Sequence, residues 1–244
     1  MFRNIRNWTR PIQAFCHKHL AARAKKPKFL LQQLKAEGYY SQCGQDKWII
    51  ERLFPDKKNG TFVDVGAYDG ITFSNTYFLE QKGWTGLAVE PTPSVYERLV
   101  KNRQCITING CVAQQSGKKR FRVITGDAQM LNGLVDEYDA RHIKRIKKEL
   151  DSYGGEYKDI EINCYNFNEL LESHGIDKVD YLNIDAEGAE YQILKSIDYD
   201  RIQILVIGVE NNYHDYRIPK LLLRMGFKFH SVVGDEFYLN RIMV

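Results

Sequence analysis

From residue 61 onward, short apolar runs alternate with segments of helical spacing, and this alternation constrains the fold more than any other feature of the chain. Thr61–Val65, Leu87–Glu90, Cys105–Val112, Ile160–Cys164, Tyr181–Ile184 and Ile204–Val209 are too short for packed helices. They read as strands of a parallel sheet covered on both faces. Ser74–Lys82 has helical spacing and is ended by Gly83, and Ser94 is expected to cap a helix through Arg103 that buries Val95, Leu99 and Val100. Asn168–His174, Ala189–Ile197 and Ile218–Met225 are the later helices, the first closed by Gly175 and the last by Gly226. Phe227–Val233 and Glu236–Asn240 flank Gly234-Asp235, the chemistry of a two-residue hairpin turn. The expected architecture is therefore α/β, a mostly parallel sheet finished by a C-terminal antiparallel hairpin.

Two regions depart from this pattern. Lys119–Thr125 alternates apolar and polar residues, after which residues 126–159 lack strand character. The middle of that segment, Asp139–Leu150, places Ile143, Ile146 and Leu150 on one face and a row of Lys and Arg on the other, as in an inserted cap or substrate segment; a solvated charged face has the same pattern. Residues 1–38 form a basic extension ahead of a domain over 39–244. Its first 36 residues carry nine Lys/Arg and no acid, so the net charge of +4 hides a body near −5. An acidic body with no aromatic-basic stacking strip argues against nucleic acid as a partner.

Within the extension Phe2, Ile5, Trp8, Ile12 and Phe15 recur every three or four residues between arginines, with Pro11 interrupting. That spacing suits a helix lying on anionic lipid through residues 1–36, and equally a helix packed on its own domain or on a second subunit. No run is long and apolar enough to span a bilayer, and no secretory leader is visible. The expected compartment is the cytoplasm, with peripheral attachment at the inner membrane surface if the extension binds lipid. Five widely spaced cysteines without a C-x-x-C pair read as reduced, mostly buried thiols.

Three acidic clusters fall at strand ends, where open α/β sheets bind their ligands. The first is Val63-Asp64-Val65-Gly66-Ala67-Tyr68-Asp69-Gly70. Gly66 lets a ligand approach the backbone, but the dinucleotide pattern G-x-G-x-x-G is missing and two acids would repel a pyrophosphate. Asp64 and Asp69 suit a cationic or neutral ligand instead, such as the sulfonium and amino groups of S-adenosylmethionine; a tight turn carrying surface acids would look the same. The second cluster is Glu90, about 20 residues further on, placed to accept the hydroxyl hydrogens of a ribose and exposed at the strand end by Pro91. The third is Asp185-Ala186-Glu187-Gly188-Ala189-Glu190, whose acids either serve the same cleft or merely stabilise a helix start.

Taken in order, SQCGQD (Ser41–Asp46), FVDVGAYDG (Phe62–Gly70), SNTYFLE (Ser74–Glu80), GWTGLAVEP (Gly83–Pro91), NIDAEGAE (Asn183–Glu190) and VEN (Val209–Asn211) resemble the FkbM family of S-adenosylmethionine-dependent methyltransferases over roughly residues 39–240. The resemblance implies a Rossmann-like class I methyltransferase fold. It implies cofactor contacts at Asp64, Gly66 and Asp69 along the methionine part, Glu90 on the ribose, Asp185 beside the methyl, and Ala113 near the adenine. Gln42, Gln45 and Asp46 would close over the cofactor. Tyr68 in place of the commoner Asn, and Asp185-Ala186 in place of Asp-Val, depart from the usual form.

Methyl transfer from a sulfonium is an in-line displacement that depends chiefly on positioning. Where the acceptor must lose a proton, the base falls to His214 or Asp185; a solvent-facing loop histidine is the plain reading of His214. Asp185, Glu187, Glu210 and Asn211 offer hard oxygen ligands that could bind a divalent metal, although their spacing does not require one. The resemblance implies O-methylation of a sugar in a glycan or glycolipid, or of a small natural product. An inactive cofactor-binding scaffold and an NAD-dependent oxidoreductase are the rival readings. The acceptor and the oligomeric state are not encoded in any motif.

Overall fold

The computed structural model describes residues 28–243. The amphipathic stretch Phe2–Phe15 lies outside them. Helix α1 (Lys28–Ala36) precedes the body and buries Leu34 against Gly44, 3.3 Å from where a Cβ would stand. Helix α2 (Gln45–Trp48) continues into a π-helical turn, Ile49–Leu53. The α/β region then runs β1 (Thr61–Val65), α3 (Tyr77–Gln81), β2 (Thr85–Glu90), α4 (Pro93–Asn102) and β3 (Ile106–Asn109). A second group follows: β4 (Cys111–Ala113), β5 (Gly117–Ile124), β6 (Gly133–Leu134), α5 (Ala140–Tyr153), β7 (Tyr157–Asn166) and α6 (Phe167–Ser173). The chain ends with β8 (Lys178–Ile184), α7 (Glu190–Ser196), β9 (Gln203–Val209), α8 (Arg217–Arg224), β10 (Phe227–Val233) and β11 (Asp235–Asn240). No described helix is long and apolar enough to cross a membrane.

Seven strands form the main sheet in the order β10-β11-β9-β8-β1-β2-β3. The contacts from β9 through β8, β1 and β2 to β3 are parallel, and β11 pairs antiparallel with both β9 and β10. This is the mostly parallel, Rossmann-like methyltransferase arrangement with its terminal antiparallel pair that the apolar runs and the family resemblance implied. The hairpin is tighter than the two-residue turn expected: Val233 pairs with Asp235, leaving only Gly234, at φ 75°, between them.

The period-two alternation of the strands divides the core. Val63, Val65, Leu87, Val89, Leu182 and Ile184 pack beneath α6, α7 and α8 through Leu171, Ile193, Leu194 and Leu222. Phe62, Tyr181, Val206 and Phe237 face the opposite way, against Ile49, Leu79 and Trp84. Each such fully buried side chain contributes about 1.5–3 kcal/mol.

Four local expectations are corrected. The run Cys105–Val112 is not one strand: it breaks at Gly110, where a Cβ would fall 2.6 Å from the Asn163 carbonyl, and β4 leaves for a second sheet ordered β4-β7-β5-β6. The strand expected at Ile160–Cys164 extends over Tyr157–Asn166 and lies in that second sheet, antiparallel to β5, so residues 126–159 do hold strand structure. Helix α4 starts at Pro93 behind Thr92, so Ser94 is not its cap, and Val100 is 47% exposed. On α5 the stripe facing inward is the buried His142 and Ile146 with the half-buried Leu150, while Ile143 is exposed.

Candidate active site

The strand order reverses between β1 and β8, and the loops after their carboxyl ends border a cleft. Asp185 N–H donates to the Val65 carbonyl at 2.9 Å, and the N–H groups of Gly66 and Ala67 both donate to the Val89 carbonyl at 3.0 Å. The loops after β1 and β8 touch at Gly66, whose φ is 89° and whose absent Cβ would lie 1.8 Å from the Asp185 carbonyl oxygen. Only glycine fits this position.

The cleft is walled by Gly66 and Tyr68 after β1, Glu90 to Thr92 after β2, Cys111 and Val112 of β4, and Asp185 to Glu187 after β8. Gln129, Met130 and Asn132 close it from the segment before β6. Glu90 is buried, and its two oxygens accept from the N–H groups of Thr92 at 2.8 Å and Tyr68 at 3.1 Å. Burial outweighs these hydrogen bonds and pushes its carboxyl up to about 7. Tyr68, in left-handed backbone at φ 52°, carries Arg98 over its ring at 5.2 Å.

Of the sequence-derived cofactor residues, Gly66, Glu90 and Asp185 meet in this cleft and the others do not line it. Asp64 shares the strand face of Phe62 rather than of Val65. It accepts from Thr76 Oγ1 at 2.6 Å and Asn183 Nδ2 at 2.8 Å, with the buried Arg103 guanidinium 4.0 Å away. Asn183 also accepts from Asn75, which with Gln45 donates to Asp235, so Gln45 and Asp64 belong to one polar layer tying β1, β8 and β11 together. Asp69 organises its own turn, accepting from Ile71 N, Thr72 N and Thr72 Oγ1. Asp46 does the same for the preceding loop, accepting from Tyr40 N, Lys47 N and the Ser41 hydroxyl. Gln42 is exposed, and Ala113 is buried in the core of the second sheet.

A second, polar cavity adjoins the first. Glu187, Gly188 and Glu190 after β8, Glu210 and Tyr213 after β9, and Asp136 to Asp139 from the 126–159 segment line it. Glu187 lines both cavities. Burial, reinforced by the Glu210 carboxylate, holds Asp185 and Glu187 well above the usual carboxylate range. His214, one of the two residues considered as base, is exposed, at φ 53°, and lines neither cavity. Asn211 lines the second cavity, but its side chain is engaged elsewhere: its Oδ1 accepts from Asp215 N at 2.7 Å and its Nδ2 donates to Glu236.

The histidine that does reach the site is His142, on α5. Its Nε2 lies 3.1 Å from the Leu131 carbonyl, which can only accept, so Nε2 carries the proton. Burial lowers its pKa, and the neutral ring accepts at Nδ1 from the Tyr213 hydroxyl, 3.0 Å away. Nδ1 is also 3.5 Å from Glu187 Oε2, and Tyr138 stacks on the ring at 4.8 Å. A signal for it existed in the sequence, because His142, Ile146 and Leu150 are spaced by four.

Among known families, the one described as the methyltransferase FkbM domain matches residues 64–230. "Methyltransferase 1" of Beauveria bassiana (strain ARSEF 2860) is 24% identical over 204 residues, covering 78% of this chain and 80% of that protein. "Methyltransferase sdnD" of Sordaria araneosa is 23% identical over 197 residues, covering 72% and 74%. Among solved structures, a TehB-like SAM-dependent methyltransferase from Corynebacterium glutamicum ATCC 13032 covers 91% of this chain and 94% of its own, at 13% identity and a TM-score of 0.37.

Proposed function

Because the chain belongs to the FkbM family of methyltransferases, we propose that it moves the methyl group of S-adenosylmethionine to a hydroxyl of a sugar or small-molecule acceptor held in the polar cavity. Methyltransferase chemistry with this cofactor comes with the family and sets the oxidoreductase reading aside. The acceptor and the choice of oxygen are the proposal. It is carried by one observation: a cleft holding the buried Glu90 carboxylate shares Glu187 with a second cavity lined by carboxylates, a tyrosine and backbone.

The residues of the cleft fit the cofactor. Two backbone N–H groups hold Glu90 without saturating its oxygens, leaving acceptor positions for the two ribose hydroxyls. Gly66 admits close approach of the methionine part, and Asp185 lines the cleft beside it. When bound, the cofactor supplies an electrophilic methyl on a positively charged sulfur. The chain's own contribution is to hold the acceptor oxygen in line and to exclude water. Tyr213, fixed by neutral His142, borders the acceptor side.

Calorimetric titration with S-adenosylmethionine, S-adenosylhomocysteine and NAD tests the cofactor half of this reading. Micromolar binding of the adenosyl ligands, lost in Glu90→Ala, is expected; their failure to bind would refute it. Radiolabelled methyl transfer to a panel of sugars and small hydroxylated compounds tests the acceptor half, which fails if label passes only to nitrogen or to nucleic acid.

A further inference from the structure

Asp185 closes β8, Glu187 follows in left-handed backbone at φ 50°, and Glu210 closes the neighbouring β9, its N–H donating to the Ile184 carbonyl at 2.9 Å. The parallel pairing of these strands, with Ile184 opposite Val209, brings the three carboxylates to one point. One oxygen from each lies within 4.8 Å of the other two.

Acids crowd together on many surfaces without holding anything, so the decisive observation is a different one. Asp185 Oδ1 and Glu187 Oε2 are sealed from solvent and accept no hydrogen bond. A buried carboxylate oxygen in that state is strongly unfavourable unless a cation or donor meets it. His142 stands 3.5 Å from Glu187 Oε2, but its single proton is committed to the Leu131 carbonyl and its Nδ1 presents a lone pair, and Arg145 acts on Glu187 through its charge, with no hydrogen bond to Oε2. Among the described residues, therefore, none completes these two oxygens.

We propose that Asp185, Glu187 and Glu210 bind a divalent cation of the hard, oxygen-preferring class at the boundary between the two cavities. Oxygens on a single cation stand at most twice the metal–oxygen distance apart, roughly 4.2 Å for Mg²⁺ and about 4.6–5.2 Å for Ca²⁺. The observed spread admits Ca²⁺ as it stands and Mg²⁺ or Mn²⁺ after a small contraction. The all-carboxylate donor set, without His or Cys among the ligands, disfavours Zn²⁺ and Cu²⁺. Three protein oxygens leave coordination positions open, and Glu187 and Glu210 also line the cavity assigned above to the acceptor. This last step rests on the proposed methyl transfer. There a bound hydroxyl would be acidified, its oxygen pair forming the new bond to carbon while the sulfur–carbon pair stays on sulfur and the proton leaves to solvent.

The test is titration of the full chain with MnCl₂, followed by the electron paramagnetic resonance signal of free Mn²⁺, with and without S-adenosylhomocysteine. One site per chain is expected, weakened tenfold or more in Glu187→Gln and in Glu210→Gln. Both variants relieve carboxylate crowding, so their metal-free forms should melt no lower than the wild type, and Mn²⁺ should raise the melting temperature of the wild type alone. Absence of binding at 1 mM Mn²⁺, or equal binding by wild type and both variants, would overturn the site. Binding of S-adenosylhomocysteine in the same samples reports on the cofactor cleft independently, so failure of the cation site and failure of the methyltransferase reading are distinguishable.

Discussion

Glu90→Gln separates what burial does to this carboxylate from what the carboxylate does for the ligand. In the folded chain Glu90 titrates near 7 against an ordinary 4.5, because burial disfavours its charge. A raised folded pKa means the folded state holds its proton more tightly, so the stability attached to Glu90 is fully present below pH 4.5 and is lost as pH rises through 7. At 1.36 kcal/mol per unit the loss is roughly 3 kcal/mol. Gln removes this dependence, and because its NH₂ cannot accept, one of the Thr92 and Tyr68 N–H groups loses its partner, at a cost of about 1–3 kcal/mol. The variant should therefore be less stable than wild type at pH 5 and equal or slightly more stable at pH 8, a swing of about 3 kcal/mol in urea unfolding. Binding should move the opposite way. Ribose hydroxyls need the ionised form, so wild-type affinity for S-adenosylhomocysteine should climb from pH 5 to about 7 and then level. Glu90→Gln should lose that slope and, with one charge-assisted hydrogen bond gone at about 1.5–3 kcal/mol, bind roughly 10- to 100-fold more weakly at pH 8. An unchanged pH slope in the variant, or undiminished affinity, would refute the assignment of Glu90 to the ribose.

Gly66→Ala should cost about 3 kcal/mol or more, through backbone strain at φ 89° and collision with the Asp185 carbonyl; a melting temperature near wild type would contradict the packing described. Arg103→Met leaves Glu80 and Asp64 buried without their guanidinium and should destabilise by about 3–5 kcal/mol in denaturant titration. His142 is a base whose folded pKa is depressed below 6.5, so its stability contribution is intact above pH 6.5 and is lost as pH falls below it. His142→Gln should flatten that acid-side loss in urea melts across pH 5–7. Leu34 packs into the body, so truncation should stop at residue 27; cosedimentation with anionic vesicles is expected to fall while S-adenosylhomocysteine binding is kept, and equal vesicle binding by both forms would remove the lipid role of the extension.

The parallel sheet was legible because its inner strands, β1, β2, β8 and β9, are short apolar runs covered on both faces, a pattern that needs no knowledge of partners. The second sheet was not. Its central pair, β5 with β7, depends on Gly117 to Ile124 meeting Tyr157 to Cys164 across 30 or more residues, and an alternating strand does not announce its partner. The glycine that hands the chain from one sheet to the other is at Gly110 because of what presses on it, Asn163 and Tyr165, which pattern alone cannot show. In the site, acids at strand ends were found, but their directions were not. Glu90, Asp185 and Glu187 turn into the clefts, while Asp46, Asp64 and Asp69 accept hydrogen bonds that fix their own loops. His142 carries no spacing that suggests a metal site or a triad, and its place in the site follows from the helical stripe it shares with Ile146 and Leu150.

The break at Gly110 also divides the molecule mechanically. Beyond it, β4 to β7 and α5 build small cores of their own around Phe121 and Ile146, and of these strands only Val112 and Tyr165 reach the main core. The wall that Gln129, Met130 and Tyr138 present to the two cavities thus rests on a separate foundation from the sheet that carries Gly66, Glu90 and Asp185. Gln129 and Met130 are tied to the cofactor cleft they line, but side chains that face the polar cavity alone, such as Tyr138, can be exchanged with little demand on the sheet, so a change of acceptor asks little of the rest of the fold.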